Sequence, residues 1–139
     1  AAGLIRLDMP ERIAEVIDQD VSVPAIGQGI VGIETREGDA KMIKMLRPLH
    51  DESAWSCLSL ERAVGKVLGA SCQAPVAVHA KCAMDGQLEA VARVGSIDNS
   101  VLLESQITGE ESSAKQLGEA LASELLANGA ADLLEGFVT

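Results

Sequence analysis

The longest regular pattern of apolar positions lies in the middle of the chain, after Asp51. Apolar residues recur there at spacings of three and four, which is the period of one helical face. Asp51 can cap such a helix and Gly69 can end it. The pattern predicts an amphipathic helix whose apolar face is formed by Cys57, Leu60, Val64, Val67 and Leu68.

Alternation of apolar and more polar residues follows this helix and predicts three strands. They cover residues 76–83, residues 87–94 and the segment from Val101 to Thr108. Asp85-Gly86 and Asp98-Asn99 are typical of turns between antiparallel strands. We therefore expect a three-stranded antiparallel meander with one apolar face.

A second amphipathic helix follows the strands. Ser112 or Ser113 can cap it, leucines recur at every fourth position from Leu117 to Leu125, and Gly129 closes it. A short helix or turn comes after that glycine. Residues 52–139 thus predict an α+β domain of helix, three-stranded antiparallel sheet and helix, with the helices on the apolar face of the sheet.

The first fifty residues contain shorter elements that do not close into a core of their own. Residues 10–17 predict a short helix, and residues 21–36 predict an extended segment interrupted by proline and glycines. Asp39 can cap a further helix that Pro48 ends, and residues 47–51 form a linker. We expect these elements to be parts of other domains.

The net charge of −10, from 21 acidic and 11 basic residues, argues against nucleic acid as a partner, because it repels a phosphate backbone. No apolar run reaches the roughly 18 residues of a membrane span, and the chain does not open with a signal-peptide pattern. Three cysteines without CxxC spacing argue against a zinc site or a disulfide framework. We expect a cytoplasmic protein with reduced thiols, no metal, and no nucleic acid or membrane partner.

Cys72 is the strongest candidate for chemistry. It lies in a loop of small residues between a helix end and a strand start. A buried structural residue is the plain alternative, because free cysteine is often buried. The negative end of the preceding helix would raise the pKa of this thiol and disfavours a thiolate nucleophile that turns over. The position is compatible with a thiol that is alkylated once and kept.

Other polar residues carry weaker signals. Cys57 and Cys82 fall on apolar faces and are expected in the core. His50 and His79 are expected at solvated positions, without a triad or a third metal ligand. The acidic residues are expected at solvated helix positions, with no isolated pair for acid and base catalysis.

Two further positions stand out near the N-terminus. Gln28 lies between two glycines, but this GxG lacks the third glycine of a dinucleotide loop, so structural glycines are the plain interpretation. A polar Gln28 in an apolar segment still requires a partner. Arg6 stands among apolar residues, either on an exposed helix face or as a clamp for a carboxylate.

Several runs of residues together carry a specific resemblance. They are AAGLIRL, VPAIGQGIVGIETR, the triplet Glu61-Arg62-Ala63 ahead of LGASCQAPVAVHA, and LASELLANGAADLL. In order and spacing they resemble the C-terminal portion of porphobilinogen deaminase, also called hydroxymethylbilane synthase, an α/β multi-domain family of tetrapyrrole and heme biosynthesis.

The resemblance implies a division of the chain. Residues 1–23 would end the second, central domain, and residues 24–51 would be a strand and helix returning to the first domain plus a linker. Residues 52–139 would be the C-terminal cofactor-anchoring domain. The catalytic aspartate and most substrate-binding arginines of the family would lie in a missing N-terminal part of the same enzyme. No catalytic residue is therefore assigned, and the chain alone is expected to be inactive.

The resemblance also implies a cofactor and its ligands. Cys72 matches the cysteine that carries a dipyrromethane through a thioether. Arg6 matches an arginine that meets pyrrole carboxylates, and Gln28 and Gly29 match a segment that lines the cofactor cleft. The implied activity is that of a monomeric transferase, which condenses four porphobilinogen units onto this primer with loss of ammonia and releases a linear tetrapyrrole.

Two other functions remain open from the residues alone. A non-enzymatic ligand-binding or regulatory module needs only the α+β unit, and survival of function in Cys72→Ser would favour it. A thiol-dependent acyl-transfer enzyme would use Cys72 as nucleophile with His79 as its base, and loss of activity in His79→Ala would favour that reaction.

Overall fold

The computed structural model describes residues 1–71, 73–98, 100–135 and 137. Three-residue 3-10 helices lie at Pro10–Arg12, Arg47–Leu49 and Glu111–Ser113. The longer elements, in chain order, are α1 (Ala2–Arg6), α2 (Ala40–Leu46), α3 (Glu52–Val67), β1 (Val76–Cys82), β2 (Gln87–Gly95), β3 (Leu102–Glu110), α4 (Ala114–Ala127) and α5 (Ala130–Leu133).

The strands form one antiparallel sheet in the order β1-β2-β3. Val78 lies opposite Ala92, and Ala92 lies opposite Ser105, so residues in this register share one face of the sheet. Helices α3 and α4 pack on that face. The largest fully buried side chains between these layers are Leu60, Leu88, Leu121, Leu125, Leu134, Val64, Val78 and Val94. The predicted α+β fold is confirmed.

The predicted helix caps are confirmed at two of three positions. Asp51 Oδ1 accepts a hydrogen bond from the backbone N–H of Ala54 (2.9 Å), and Asp39 Oδ1 accepts one from Met42 (3.0 Å). Ser113 precedes α4, but its side chain makes no capping hydrogen bond within the described residues. Of the described helices, none combines the length and the apolar character needed to cross a membrane.

Asp98 organises the loop between β2 and β3. Its Oδ1 accepts hydrogen bonds from the hydroxyls of Ser96 (2.6 Å) and Ser100 (2.7 Å). These bonds, with that of Ser96 first, lower the pKa of Asp98 to about 2. The predicted turn partner Asn99 lies outside the described residues.

One prediction for the first part of the chain is wrong. Residues 10–17 form a helical turn only at Pro10–Arg12. Val16 and Ile17 are 71% and 61% exposed, so the apolar face of such a helix has nothing to pack against, and a two-turn helix does not form by propensity alone.

The predicted extended segment at residues 21–36 contains no strand in the described chain, and its middle is a turn. A run of turns occupies residues 26–29, and Val31 beyond it is 87% exposed. Residues with high β-propensity form a strand only where another strand or a packed face receives them.

Helices α3 and α4 pack tightly against each other at Gly118. A Cβ built on Gly118 would collide with the carbonyl oxygen of Leu60 and lie 2.7 Å from the Cβ of Ala63. Only a residue without a side chain allows this packing.

We predict that Gly118→Ala lowers the free energy of unfolding by about 1–3 kcal/mol, because overpacking outweighs the better helix propensity of alanine. Urea unfolding followed by circular dichroism measures the change. Gly3→Ala in α1 is the matched control, because a Cβ at Gly3 meets nothing within 4 Å. Equal stability of the two variants would contradict the close packing.

Candidate functional site

Glu61 is a buried carboxylate on α3 that joins three segments of the chain. It is 3% exposed. Its Oε2 accepts a hydrogen bond from the backbone N–H of Gly27 (2.7 Å), and its Oε1 accepts one from Ala80 in β1 (2.9 Å). The Nδ1 atom of His79 lies 3.9 Å from Oε1, beyond hydrogen-bonding distance. Two short hydrogen bonds to a carboxylate offset part of the cost of burying it.

Strand β1 is an edge of the sheet, and the segment before Gly27 covers that edge. The backbone N–H of Val78 donates to the carbonyl of Pro24 (3.1 Å), and the next outward-facing N–H is that of Ala80, which Glu61 binds. Val23 is buried beside this contact. Residues 23–27 are therefore fixed along β1.

The turn at residues 26–29 packs against α3 through two glycines. Gly27 has a φ of +72°, and a Cβ there would lie 3.2 Å from Leu58 Cδ1. On the helix, a Cβ at Gly65 would lie 2.8 Å from Ile26 Cδ1. A side chain at either glycine would force the terminal methyl group of Leu58 or Ile26 to move, and the positive φ of Gly27 itself favours glycine.

This turn presents two of the predicted site residues. Gln28 and Gly29 are exposed, and the backbone N–H of Gln28 donates to the carbonyl of Ala25 (3.0 Å). Arg6 is also exposed, at the end of α1. Among the described residues, no hydrogen bond or ion pair joins Arg6 to the turn.

Cys72, the predicted anchor, lies outside the described residues. The backbone at the start of the loop that contains Cys72 is described. Gly69 has a φ of +62°, which lets the chain turn out of α3, and the backbone N–H of Ala70 donates to the carbonyl of Gly65 (3.0 Å). The start of the loop is thus tied to the helical turn that contacts Ile26.

The other end of this loop borders a shallow groove of about 430 Å³. The groove lies between residues 21–23 and residues 74–77. The backbone N–H of Ala74 donates to the carbonyl of Ser71 (3.0 Å) where the loop approaches β1. Open space therefore lies beside the loop on the side of the segment that covers β1.

Arg93 of β2 lies on the face of the sheet that α3 and α4 do not cover. From there it binds the segment that precedes the turn at residues 26–29. Its Nη2 donates to the carbonyl of Asp20 (2.8 Å), its Nη1 to that of Val21 (3.2 Å), and its Nε to Oε2 of Glu104 (2.6 Å). The hydrogen bond from Arg93, and then that from Gln106, lower the pKa of Glu104. The planar guanidinium suits such a fork of acceptors.

The remaining predicted residues have mixed outcomes. Cys57 and Cys82 are half-buried against the core, and their sulfurs lie 3.7 Å apart. His50 is exposed, as expected, whereas His79 is half-buried beside Glu61, so its expected solvation is wrong. The described ranges contain no group of three or more side chains placed to hold a metal ion.

Two residues of this site, Glu61 and Arg93, do not stand out in the sequence. The expectation that acidic side chains occupy solvated positions is wrong for Glu61. Its signal is its place four residues after Cys57 and one after Leu60, within the apolar face of α3. Arg93 has no comparable signal, because its backbone partners lie 72 and 73 residues away.

Two family models match the chain. The model described as "Porphobilinogen deaminase, dipyromethane cofactor binding domain" matches residues 1–44. The model described as "Porphobilinogen deaminase, C-terminal domain" matches residues 55–127. The turn at residues 26–29 falls in the first match, and Glu61, which holds that turn, falls in the second.

Curated proteins named porphobilinogen deaminase are similar over nearly the whole chain. That of Syntrophotalea carbinolica is 42% identical over 134 residues, which are 96% of this chain and 42% of that protein. That of Thiobacillus denitrificans is 42% identical over 135 residues, 97% and 44% of the two chains. That of Nitrosomonas europaea is 37% identical over 134 residues, 96% and 43%. The chain spans less than half the length of these relatives.

We predict that Glu61→Gln lowers the free energy of unfolding by about 1–3 kcal/mol, because the amide nitrogen would face a buried backbone N–H and leave it without an acceptor. Hydrogen exchange should accelerate at the amides of Gly27 and Ala80. Glu119→Gln makes the same chemical change at a side chain that is 48% exposed, and should alter stability by less than about 0.5 kcal/mol. Unchanged exchange at both amides would contradict the proposed link.

For Arg93→Gln we expect amide exchange at Val21 and Ser22 to accelerate about tenfold or more, since the side chain no longer reaches the two carbonyls. Mass spectrometry of exchanged peptides measures this change. Arg36→Gln is the matched control, because Arg36 is exposed and its ion pair with Asp39 is long, at 3.9 Å. If both variants exchanged alike at Val21 and Ser22, Arg93 would not be holding the segment.

Proposed function

Because this chain belongs to the porphobilinogen deaminase family, we propose that it is the C-terminal, cofactor-anchoring part of a hydroxymethylbilane synthase. The proposed reaction is the condensation of four porphobilinogen units onto a dipyrromethane primer, with loss of ammonia and release of a linear tetrapyrrole. The primer would be attached through a thioether to Cys72.

The Glu61 contact is the structural observation that carries this proposal. Its carboxylate binds Gly27, in the region that matches the cofactor-binding model, and Ala80, in the region that matches the C-terminal model. The loop that contains Cys72, which we call the anchor loop, covers residues 68–75. It lies between α3, which carries Glu61, and β1, which carries Ala80. The contact therefore brings the turn with Gln28 and Gly29 to the two elements that flank the anchor loop.

The described residues fit a bound dipyrromethane in three respects. The groove beside residues 74–77 provides open space next to the anchor loop. Gly29 has a φ of +85° and no atom within 4 Å of its missing Cβ, so its backbone is open to a ligand. Gln28 and Arg6 are exposed, and their amide and guanidinium groups suit the carboxylate side chains of pyrroles.

Each residue of this chain would have a binding role. The Cys72 sulfur would hold the cofactor covalently, and a thioether is stable to hydrolysis during repeated turnover. Gln28 and Gly29 would line the cleft, and Arg6 would bind a carboxylate. The bound dipyrromethane supplies the pyrrole position to which the first porphobilinogen unit is added.

We further propose that this part needs the rest of the enzyme for activity. The net charge of −10 repels a polyanionic product, and no catalytic carboxylate is assigned to the chain. An exposed set of large apolar side chains supports a missing N-terminal part as the partner of this region: Val31, Ile33, Met42, Ile43, Met45 and Leu49.

The division of the chain is part of this proposal. Residues 1–23 would end the second domain, residues 24–51 would return to the first domain and form a linker, and residues 52–139 would be the third domain. The core that α3, α4 and the sheet enclose supports the last of these units. A cytoplasmic location and a monomeric state are proposed from the sequence and from the resemblance.

We predict a dipyrromethane-sized mass on the peptide that contains Cys72, in the complete polypeptide isolated from its native cells. Peptide mass mapping should find Cys57 and Cys82 without this mass. Cys72→Ser should lose both the added mass and the release of tetrapyrrole, because no other thiol lies in the anchor loop.

An unmodified Cys72 in an active enzyme would overturn the covalent attachment. If Cys72→Ser kept its function, a non-enzymatic binding module would be favoured. If His79→Ala abolished activity while Cys72 carried no pyrrole, the acyl-transfer reaction would be favoured.

A further inference from the structure

Cys57 and Cys82 form a pair of thiols between α3 and the last residue of β1. Their sulfurs lie 3.7 Å apart. Both side chains are half-buried, and Cys82 Sγ also lies 3.7 Å from the carbonyl of Ser53. Nothing in the proposed reaction uses either thiol.

We propose that Cys57 and Cys82 are a thiol–disulfide site, in which a reversible disulfide links α3 to β1 across the anchor loop. The site is a place of oxidative modification that is distinct from the Cys72 anchor. Its reaction partner is a small-molecule disulfide of the glutathione type.

The observed distance allows this bond with a small local movement. A disulfide requires sulfurs about 2.05 Å apart, so the two atoms must approach by about 1.6 Å. A rotation of roughly 30° about χ1 of each cysteine moves each sulfur by about 0.8 Å. The backbones of α3 and β1 are already packed together, so no segment has to unfold to form the bond.

The position of the pair connects it to the Glu61 contact. Cys57 lies one helical turn before Glu61 on α3, and Cys82 lies two residues after Ala80 on β1. A disulfide would therefore join the same two elements that the Glu61 carboxylate joins. It would also close a covalent ring around residues 57–82, which include Cys72.

The disulfide forms in two thiol–disulfide exchange steps. The Cys82 thiolate attacks one sulfur of oxidised glutathione, forming a mixed disulfide and releasing one glutathione thiolate. The Cys57 thiolate then attacks the protein sulfur of that mixed disulfide and releases the second glutathione. Both protein thiols lose their protons to solvent, the two sulfurs are oxidised, and two molecules of glutathione are the reduced product.

The Cys57 thiol is difficult to ionise. Burial, and then the neighbouring Cys82 thiol, raise the pKa of Cys57 to about 12, and the Glu61 and Glu111 carboxylates act in the same direction. Burial, the first of these causes, remains after Cys82 has formed the mixed disulfide, so Cys57 stays mostly protonated at neutral pH and its step is slow. Closure of the ring should accelerate as the pH rises from 7 to 9.

The test is an exchange titration of the complete polypeptide with oxidised and reduced glutathione, followed by alkylation of free thiols and peptide mapping. At roughly a hundredfold excess of the oxidised form, we expect most molecules to contain a peptide linked through Cys57 and Cys82, with the loss of two hydrogens. Dithiothreitol should reverse the link. The same experiment in Cys72→Ser protein should give the same linked peptide.

Single variants identify the two partners. In Cys57→Ser, the linked peptide should be absent and Cys82 should carry one glutathione. In Cys82→Ser, the linked peptide should also be absent. If either variant fails to fold, the linked peptide in the Cys72→Ser protein still shows whether Cys57 and Cys82 form the disulfide. Free thiols at both positions, separate glutathione adducts on each, or a link that involves Cys72 would overturn the proposal.

Discussion

A buried carboxylate stabilises a fold only when both of its oxygens find donors, and the donors of Glu61 belong to segments far apart in the sequence. One is the turn at Gly27 and the other is strand β1 at Ala80. The side chain that binds both comes from α3. The position of the turn and the packing of α3 on the sheet are therefore coupled, because neither can shift without leaving the carboxylate or a backbone N–H unpaired.

This coupling through Glu61 links the two elements between which the anchor loop lies. The loop leaves α3 at Gly69 and enters β1 at Val76, so both of its ends belong to elements that Glu61 joins. The loop consists mostly of small residues, and the elements on either side are joined through the Glu61 carboxylate. Under the proposed function, the attached chain would grow from a loop whose two ends belong to elements that Glu61 joins.

The C-terminal domain was predictable because its signals are local. The period of α3 and α4 and the alternation of the three strands each appear within one element. The first fifty residues do not form a core of their own, so local signals do not decide their structure. Val16 is exposed where the sequence predicts a helix, and Val31 is exposed where it predicts an extended chain. The site itself depends on contacts between distant residues. The burial of Glu61 is weakly indicated by its place in the helical period of α3. Nothing in the sequence indicates that Arg93 binds two backbone carbonyls or that the Cys57 and Cys82 thiols lie close together.

The contacts along residues 20–27 are exposed at the Asp20 end and shielded from solvent further along. Arg93 holds the carbonyls of Asp20 and Val21 at exposed positions, the Pro24 bond to Val78 comes next, and Gly27 is bound by a carboxylate that is 3% exposed. Solvent competes more strongly for exposed hydrogen bonds than for buried ones. The segment should therefore release from the Asp20 end first, while the bonds to Val78 and Glu61 persist. Residues before Asp20, including Arg6, can then move relative to the sheet while Gln28 and Gly29 stay on the turn that Glu61 binds.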